Sequence, residues 1–217
     1  MRVTMSAVPE QELVVYGAGG HGAVVFDALV AAGELPLGFV DDGVEAGSTV
    51  LGYPVLGGAA WLESHTRARV ALGVGSNRVR CAIWERCRAL GIEVVTVIHP
   101  RASISMFAEL GPGSVVLAGS VVNARARLGA GCIVNSGAVV EHDVTVGDFA
   151  HVSPNATLTG GASLGTQAQL GAAACVLPGI GVGEHALVGA GAVVTRTIPA
   201  GCIAFGVPAR VGRTRSP

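Results

Sequence analysis

The stretch VVEHDVTVGDFAHVSPNATLTGG at residues 139–161 contains the pattern that decides the fold. Within it, an aliphatic residue recurs at every sixth position, at Val140, Val146, Val152 and Leu158. In both directions along the chain the same register continues without insertion, giving seventeen consecutive hexads that open with Ile, Leu or Val. The positions are Ile98, Ile104, Leu110, Val116, Val122, Leu128, Val134, Val140, Val146, Val152, Leu158, Leu164, Leu170, Val176, Val182, Val188 and Val194. Such a run indicates a repeat architecture.

Small residues and glycines add a second layer to the repeat. Four positions after each aliphatic residue stands Ala, Ser or Cys in fourteen of the seventeen hexads, the exceptions being Val144, Ile180 and Ile198. Glycines recur every eighteen residues, at Gly111, Gly129, Gly147, Gly165 and Gly183. Because eighteen residues are three hexads, the pattern predicts a three-sided coil with one short strand and one turn per side. Stacked coils would form parallel sheets with strands about 4.8 Å apart and the large aliphatic residues inside.

The residues before the coil alternate between strand and helix patterns. Strand-like runs are LVVYG (13–17), LGFVDD (37–42) and VALGVGSN (70–77), and helical spacing follows at about 23–32 and in RVRCAIWERCRAL (78–90). This βαβαβ order predicts a Rossmann-like α/β domain with a parallel sheet. The predicted segments are an N-terminal tail at 1–11, the Rossmann-like domain at 12–97, the β-helix at 98–199 and a C-terminal segment at 200–217.

The composition excludes several classes of protein. Half of the 217 residues are hydrophobic and regularly spaced, which excludes disorder, and the 33 glycines lack the three-residue period of collagen. A net charge of −1 argues against nucleic-acid partners, and the interrupted aliphatic pattern argues against membrane insertion. The N-terminus lacks the apolar core of a signal peptide, so we expect a cytoplasmic location. Five cysteines without a CxxC pair argue against a disulfide framework and against a zinc site.

The motif GAGGHG at residues 17–22 follows the first predicted strand and opens the first helix. It fits G-x-G-x-x-G, in which backbone N–H groups at a helix N-terminus bind phosphate. Asp41 and Asp42 lie about twenty residues further on, where a ribose-binding acid belongs. The motif alone is typical of a nicotinamide-dependent oxidoreductase, but a segment of about 86 residues is short for a complete dehydrogenase. A nucleotide-linked ligand fits equally well, and a tight turn without a ligand is the third interpretation.

His142 and His151 are the candidates for chemistry within the coil. Neither occupies an inward aliphatic position, so both are expected at the outer surface of the coil. His142 is flanked by Glu141 and Asp143, and a neighbouring carboxylate can fix the tautomer of a histidine and stabilise its charged form. This pattern favours a general base at His142, with a solvated surface histidine as the alternative.

These features together resemble one family. GAGGHG, the aspartate pair, GVGSN (73–77), the seventeen hexads, VVEHD (139–143), His151 and FGVPAR (205–210) are arranged as in the hexapeptide acyltransferases. The similar branch contains the bacillosamine- and perosamine-type nucleotide-sugar N-acetyltransferases and the sialic acid O-acetyltransferases. The resemblance covers about residues 13–210. It implies a left-handed β-helix, a homotrimer with active sites between subunits, acetyl-CoA as co-substrate and no metal.

The resemblance also implies roles for individual residues. His142 would be the general base for direct attack of a sugar amine, favoured at C4, on acetyl-CoA. Asp143 stands where bacillosamine-type enzymes have Glu, so Asp143 and Glu141 are alternative partners for orienting His142. The residues implied to contact the cofactor are His151 at the thioester and the backbone near Ala172 and Ala190 along the pantetheine. Those implied to bind the substrate are Gly19, Gly20 and His21 at the phosphates, Asp41 and Asp42 at the nucleoside, and Gly75 and Asn77 beside it.

Several alternatives stay open at this stage. A sialic acid-type sugar O-acetyltransferase shares much of the layout, and neither the nucleoside (UDP or GDP) nor the sugar can be deduced. From other functional classes, an NAD-binding oxidoreductase would explain GAGGHG but leave the repeat unused. A non-catalytic solenoid would explain the repeat but not the histidines.

Overall fold

The computed structural model describes residues 12–214 of the chain. The predicted tail at 1–11 and the last three residues therefore lie outside the described part. Within that part, an α/β domain is followed by a β-helix, and both predicted fold types are confirmed.

The N-terminal domain is a six-stranded sheet flanked by helices. Its elements are β1 (Leu13–Tyr16), α1 (Gly20–Ala31), β2 (Gly38–Val40), β3 (Thr49–Val50), β4 (Tyr53–Gly57), α2 (Ala59–Ser64), β5 (Arg69–Leu72), α3 (Asn77–Ala89) and β6 (Glu93–Val94). The strand order is β3-β4-β2-β1-β5-β6, parallel except for the β3–β4 hairpin. Since β2 lies on one side of β1 and β5 on the other, the connections diverge between β1 and β5. In open α/β sheets, a crevice at that switch point is the usual ligand site.

The β-helix consists of two-residue strands separated by four-residue turns. In chain order they are β7 (Val97–Ile98), β8 (Ser103–Ile104), β9 (Glu109–Leu110), β10 (Val115–Val116), β11 (Val121–Val122), β12 (Arg127–Leu128), β13 (Ile133–Val134), β14 (Val139–Val140), β15 (Thr145–Val146), β16 (His151–Val152), β17 (Thr157–Leu158), β18 (Ser163–Leu164), β19 (Gln169–Leu170), β20 (Cys175–Val176), β21 (Gly181–Val182), β22 (Leu187–Val188) and β23 (Val193–Val194). A final hairpin is formed by β24 (Cys202–Phe205) and β25 (Arg210–Thr214).

Every third strand pairs in parallel, which produces three coil sheets. Coil sheet 1 runs β7-β10-β13-β16-β19-β22 and continues into the terminal hairpin, coil sheet 2 runs β8-β11-β14-β17-β20-β23, and coil sheet 3 runs β9-β12-β15-β18-β21. The register of each pair is eighteen residues, as the glycine period predicts. The coil is the left-handed β-helix of this repeat class.

The interior of the coil is filled by the predicted positions. The aliphatic residue of each hexad and the small residue four places later form one buried cluster, in which Leu158 and Ala156 are completely inaccessible. The period-eighteen glycines lie where successive coils touch. A Cβ on Gly147 would lie 2.5 Å from the Thr166 nitrogen of the next coil, and one on Gly165 would lie 2.5 Å from the Glu184 nitrogen. These corners therefore require glycine for close approach.

The outer side of coil sheet 1 carries the N-terminal domain. Val97, Val115 and Ile133 point away from the coil interior and share a buried cluster with Val15 and Phe26 of the α/β domain. The two domains thus have a common hydrophobic interface, which fixes the α/β crevice over one side of the coil.

Several elements differ from the sequence-based expectation. Strand β5 ends at Leu72, whereas the strand-like run continues to Asn77, where α3 begins. Helix α1 begins at Gly20 rather than near residue 23, so the glycine motif itself forms the first turn. The β3–β4 hairpin and α2 were not predicted, because their runs are too short for a clear period. Coil pairing also continues past residue 199, since β24 pairs in parallel with β22.

Candidate functional site

The glycine loop after β1 packs tightly against the loop after β5. Gly17 has φ +116°, and a Cβ there would lie 2.6 Å from the Gly73 carbonyl oxygen. Helix α1 follows with Gly19 as its N-cap residue, which has no side chain to cap the first turn. The N-terminal N–H groups of α1 therefore face the crevice between β1 and β5, an arrangement that favours a phosphate or another anion.

Asp41 and Asp42 shape this end of the sheet. The Asp41 carboxylate accepts hydrogen bonds from the backbone N–H of Ala18 in the glycine loop, at 2.7 Å, and of Gly43, at 2.8 Å. Asp42 accepts from the Ala59 N–H at the start of α2, at 2.7 Å, and this bond is the main reason that the pKa of Asp42 is lowered. Both carboxylates thus support the loops around the crevice through intramolecular bonds.

The α3 N-terminus is bound to the coil. Asn77 is buried, and its side-chain NH₂ donates to the carbonyl oxygens of Gln167 and Ala168 at 2.9 and 3.1 Å. The side chain predicted to lie beside the nucleoside therefore joins the domains. Gly75, two residues earlier, remains partly exposed, and its carbonyl accepts from Arg80 at 3.1 Å.

Arg80 is completely buried between the two domains. Its side chain donates to the carbonyl oxygens of Gly131 and Phe149 in the coil, each at 2.7 Å. It also donates to the carbonyls of Val74 and Gly75 and to Asn77 Oδ1. All five N–H donors of the guanidinium are used, and among the described residues no carboxylate forms an ion pair with it. Burial lowers the pKa of Arg80 to about 10.

His21 and His151 meet where the two domains contact each other. Their ring centroids are 6.3 Å apart, and within residues 12–214 no hydrogen-bond partner reaches the buried His21 Nε2 or His151 Nδ1. Burial lowers the pKa of His151 to about 3 and that of His21 to about 4, and the Arg80 charge acts in the same direction on both. Both rings are therefore neutral at physiological pH.

The tautomer of His151 follows from its neighbours. Asn135 Oδ1 accepts from the Ser136 N–H at 2.8 Å, which turns the Asn135 NH₂ toward His151 Nε2 at 3.0 Å. Because an amide NH₂ is a donor, Nε2 must accept and the ring proton must reside on Nδ1. His151 points away from the coil interior as predicted, but it is only 7% exposed because the N-terminal domain covers it. The backbone of Gly75 acts on the remaining N–H and raises the pKa of His151, against the larger effect of burial.

His142 has the opposite environment. It follows β14 at the corner between coil sheets 2 and 3, and its side chain is 60% exposed. Nδ1 lies 2.7 Å from Asp143 Oδ2, and Asp143 is held by Arg125 through bonds of 2.6 and 2.7 Å. The Arg125 bonds first, and His142 second, lower the pKa of Asp143, so its carboxylate stays ionised. The ring also lies against Gly160, where a Cβ would be 2.7 Å from Nε2.

Glu141 does not share this contact. Its Oε2 accepts from Asn123 Nδ2 at 2.9 Å, one coil earlier. Of the two flanking carboxylates, Asp143 is therefore the one placed against the His142 ring in the structure.

Ala172 and Ala190 lie on another edge. They are exposed on successive coils at the corner between coil sheets 1 and 2, where the Gly191 N–H donates to the Ala172 carbonyl at 2.8 Å. His142 lies at a different corner, and His151 on coil sheet 1, so one chain does not bring His142, His151 and the alanine edge to one place. The body of the β-helix lies between His142 and the other residues.

Sequence reasoning missed four residues that complete these environments: Arg80, Arg125, Asn135 and Gly160. Two could have been found from the coil period, because Arg125 lies eighteen residues before Asp143 and Gly160 lies eighteen residues after His142. Arg80 depends on the docking of two domains, which no local pattern encodes, and Asn135 contacts His151 at a spacing of sixteen residues, outside the eighteen-residue register.

Comparison with known proteins identifies the family. Residues 12–87 match the PglD N-terminal domain, and residues 125–160 match the bacterial transferase hexapeptide (six repeats). The chain is similar to a histidine-to-asparagine variant of perosamine N-acetyltransferase from Caulobacter crescentus, solved with CoA and GDP-perosamine. The identity is 39%, the TM-score 0.88, and the coverage 93% of this chain and 97% of that one. The chain belongs to the hexapeptide-repeat sugar acetyltransferase family.

Two further relatives support this assignment. The acetyltransferase domain of PglB from Neisseria gonorrhoeae FA1090, in complex with acetyl coenzyme A, is 38% identical, with a TM-score of 0.88 over 93% of this chain and 99% of that one. UDP-N-acetylbacillosamine N-acetyltransferase from Bacillus subtilis (strain 168) is 37% identical over 120 residues, which are 50% of this chain. That match spans about half of the curated relative, 52% of its length.

Two properties of the described residues concern metal sites and membrane spans. Among residues 12–214, no three His, Cys, Asp or Glu side chains form a group that could hold a metal ion. No helix in the same part of the chain has the length and apolarity needed to cross a bilayer.

Proposed function

We propose that this protein is an acetyl-CoA-dependent N-acetyltransferase that acts on an amino group, favoured at C4, of a nucleotide-linked amino sugar. The observation that carries the proposal is the His142–Asp143 hydrogen bond of 2.7 Å on the exposed coil corner, in a chain of this family. The bond holds the ring through Nδ1 and leaves Nε2 as the nitrogen that can accept a proton from the substrate. The family relatives solved with CoA, acetyl-CoA or GDP-perosamine support the substrate classes.

The proposed reaction is a direct transfer. The sugar amine attacks the thioester carbonyl carbon, a C–N bond forms, and His142 Nε2 accepts the proton that the amine loses. A backbone N–H holds the developing oxyanion of the tetrahedral species. The C–S bond then breaks, and the proton passes from His142 to the CoA sulfur, so that the products are the amide and the free thiol. Asp143 orients the ring and stabilises its charged form.

The proposed site for the sugar nucleotide is the interdomain crevice, formed by the loops at 17–22 and 73–77. The N–H groups of Gly19, Gly20 and His21 at the α1 N-terminus would hold the phosphates. Asp41 and Asp42 would line the nucleoside end, where lone pairs not used by the loops can accept from a base or ribose. Gly75 would contribute backbone, while Asn77 would act indirectly by holding its loop.

The cofactor is proposed to lie along the edge of the β-helix of a neighbouring subunit. Ala172 and Ala190 present small, exposed side chains on successive coils, which suits an extended pantetheine chain. His151 would donate its buried Nδ1–H to an oxygen near the thioester. Within one subunit, the body of the β-helix separates these residues from His142. The proposal therefore requires a site assembled from two subunits.

We therefore also propose a homotrimer with its active sites between subunits. The outer side of coil sheet 2 supports this, because Val121, Val139, Cys175 and Val193 are only partly buried there and form an apolar face next to His142. Packing of the β-helix of a second subunit against that face would bury it. The edge of that subunit with Ala172 and Ala190 would then lie near His142.

The unpaired cysteines fit the proposed cytoplasmic location.

The decisive experiment measures release of the CoA thiol from acetyl-CoA with a panel of UDP- and GDP-linked 4-amino sugars. The proposal predicts thiol release and N-acetylated product with at least one of these amines. Free sialic acid serves as the O-acetylation arm, and product formation only there would instead show a sugar O-acetyltransferase. Binding of NADH without any thiol release would favour an oxidoreductase, and no turnover or cofactor binding would favour a solenoid.

A further inference from the structure

Arg125 occupies the coil corner directly beneath the His142 corner. It lies eighteen residues before Asp143, and the two have nearly the same left-handed backbone, with φ +62° and +61°. The Asp143 N–H donates to the Ala124 carbonyl at 3.2 Å, which fixes the spacing of the two corners. Two side chains that leave equivalent corners of adjacent coils run side by side, so the Arg125 guanidinium meets the Asp143 carboxylate.

The contact is a two-point clamp. Arg125 Nε donates to Asp143 Oδ1 at 2.6 Å and Nη2 donates to Oδ2 at 2.7 Å. Such paired bonds fix the plane of a carboxylate as well as its position. Both side chains are substantially exposed, at 67% and 43%, so the pair contributes little to the stability of the fold. Its main consequence is the orientation of Asp143.

That orientation is transmitted to His142. Oδ2, the oxygen held by Arg125 Nη2, is the atom that lies 2.7 Å from His142 Nδ1. An ionised carboxylate can only accept, so Nδ1 must carry the ring proton and the lone pair must be on Nε2. From the coil above, Gly160 lies against the ring and leaves room for it only because it lacks a side chain. His142 is thus held between the Arg125–Asp143 pair and Gly160.

We propose that Arg125 is a positioning residue for the acyl transfer: its clamp on Asp143 fixes His142 in the tautomer with the basic lone pair on Nε2. The catalytic part of this inference rests on the proposed function. The tautomer part does not, because it concerns the free protein.

The chain offers a matched control two residues away. Arg127 is exposed to 68%, on the same coil, and forms an ion pair with Glu109 at 3.5 Å. That pair involves no histidine. Replacing either arginine by Gln removes one exposed ion pair, but only Arg125→Gln removes the clamp on Asp143.

The first test is spectroscopic and needs no substrate. Protein labelled with ¹⁵N-histidine would be examined at pH 8 by long-range ¹H–¹⁵N correlation, with His142→Gln used to assign the His142 signals. Wild type and Arg127→Gln should show His142 in one neutral tautomer, protonated on Nδ1. Arg125→Gln should show a mixture of both tautomers, and Arg125→Lys an intermediate population. An unchanged tautomer in Arg125→Gln would overturn the proposal.

The second test uses thiol release. Arg125→Gln should lower kcat about tenfold, less than the hundredfold that a 1 Å misplacement can cost, with the KM of both substrates near that of wild type. If Arg125 acts through Asp143, adding Arg125→Gln to Asp143→Asn should cause no further loss. Independent, multiplicative losses, or an unchanged kcat in Arg125→Gln, would contradict the positioning role. If wild type itself transfers no acetyl group, the proposed function fails and the tautomer measurement still decides the placement of Arg125.

Discussion

His142 and His151 are nine residues apart but differ in exposure, because His142 faces solvent and His151 faces the N-terminal domain. His142 lies on an open coil corner, where Asp143 holds Nδ1 and water can reach the ring. His151 lies beneath the N-terminal domain, where burial and the Arg80 charge disfavour protonation. The first environment suits a residue that gains and loses a proton, whereas the second suits a neutral hydrogen-bond donor.

The buried histidines predict an acid-sensitive fold. Their pKa values in the folded chain, about 3 for His151 and about 4 for His21, lie below the unfolded value of 6.5. Their contribution to stability is therefore fully present above pH 6.5 and is lost as the pH falls toward 4, at about 1.4 kcal/mol per pH unit for each residue. Urea unfolding at fixed protein concentration should show a smaller loss between pH 7 and 5 in His151→Gln than in wild type. Equal losses would contradict this assignment.

Among the secondary-structure elements, the regular stacking of the coil depends on contacts between equivalent positions of successive turns. Each two-residue strand is too short to be stable alone, but pairing with strands eighteen residues before and after it makes the stack cooperative. The period-eighteen glycines permit this pairing by allowing the corners to touch. A side chain added there would push two coils apart.

Gly147→Ala tests this packing. Its Cβ would lie 2.5 Å from the backbone nitrogen of Thr166, which cannot move without disturbing the next coil. We expect a destabilisation of roughly 1–3 kcal/mol, as for overpacked cores. Gly181→Ala is the control, because its new Cβ would meet side-chain atoms and no backbone: the Ser163 hydroxyl at 3.0 Å and the Thr197 methyl group at 3.9 Å. Thermal unfolding that did not distinguish the two variants would show that the corners tolerate a side chain.

The individual elements also show how much of the fold could be predicted from the sequence. The hexad register predicted the strand positions of the whole coil, because an unbroken period leaves only one alignment of successive coils. The same register, applied at eighteen residues, places Arg125 beside Asp143. The β3–β4 hairpin and α2 escaped prediction because six residues or fewer carry too little periodicity. The clamp on Asp143 was missed because the register predicts which corners are adjacent but not which exposed side chains bond to each other.

At the scale of the whole molecule, the site depends on how two domains dock. Arg80 joins the loop at 74–75 to coil carbonyls at Gly131 and Phe149, the latter two residues before His151. The interface holds the α1 N-terminus over coil sheet 1 and sets the crevice that contains His21. No periodic pattern in either domain specifies this contact, which is why the sequence predicted both domains but not their interface.

Arg80→Met should loosen the docking. It leaves four backbone carbonyls and Asn77 Oδ1 in the interface without their donor, so we expect a loss of several kcal/mol, at about 1–3 kcal/mol for each buried group left unsatisfied, measured by urea unfolding. Hydrogen exchange should increase in the loop at 73–77 and in the coil turns that Arg80 contacts. Arg88→Met is the matched control on the same helix, since Arg88 is exposed and pairs with Glu85. Equal stability of the two variants would show that Arg80 does not hold the domains together.

The most direct test of the account is the turnover of His142→Ala with acetyl-CoA and the best nucleotide-linked amino sugar. If His142 is the general base, kcat should fall by roughly 10²–10⁴, while the affinity for CoA and the thermal unfolding temperature stay near those of wild type. Near-normal turnover in this variant would contradict the assignment of His142 and the mechanism built on it.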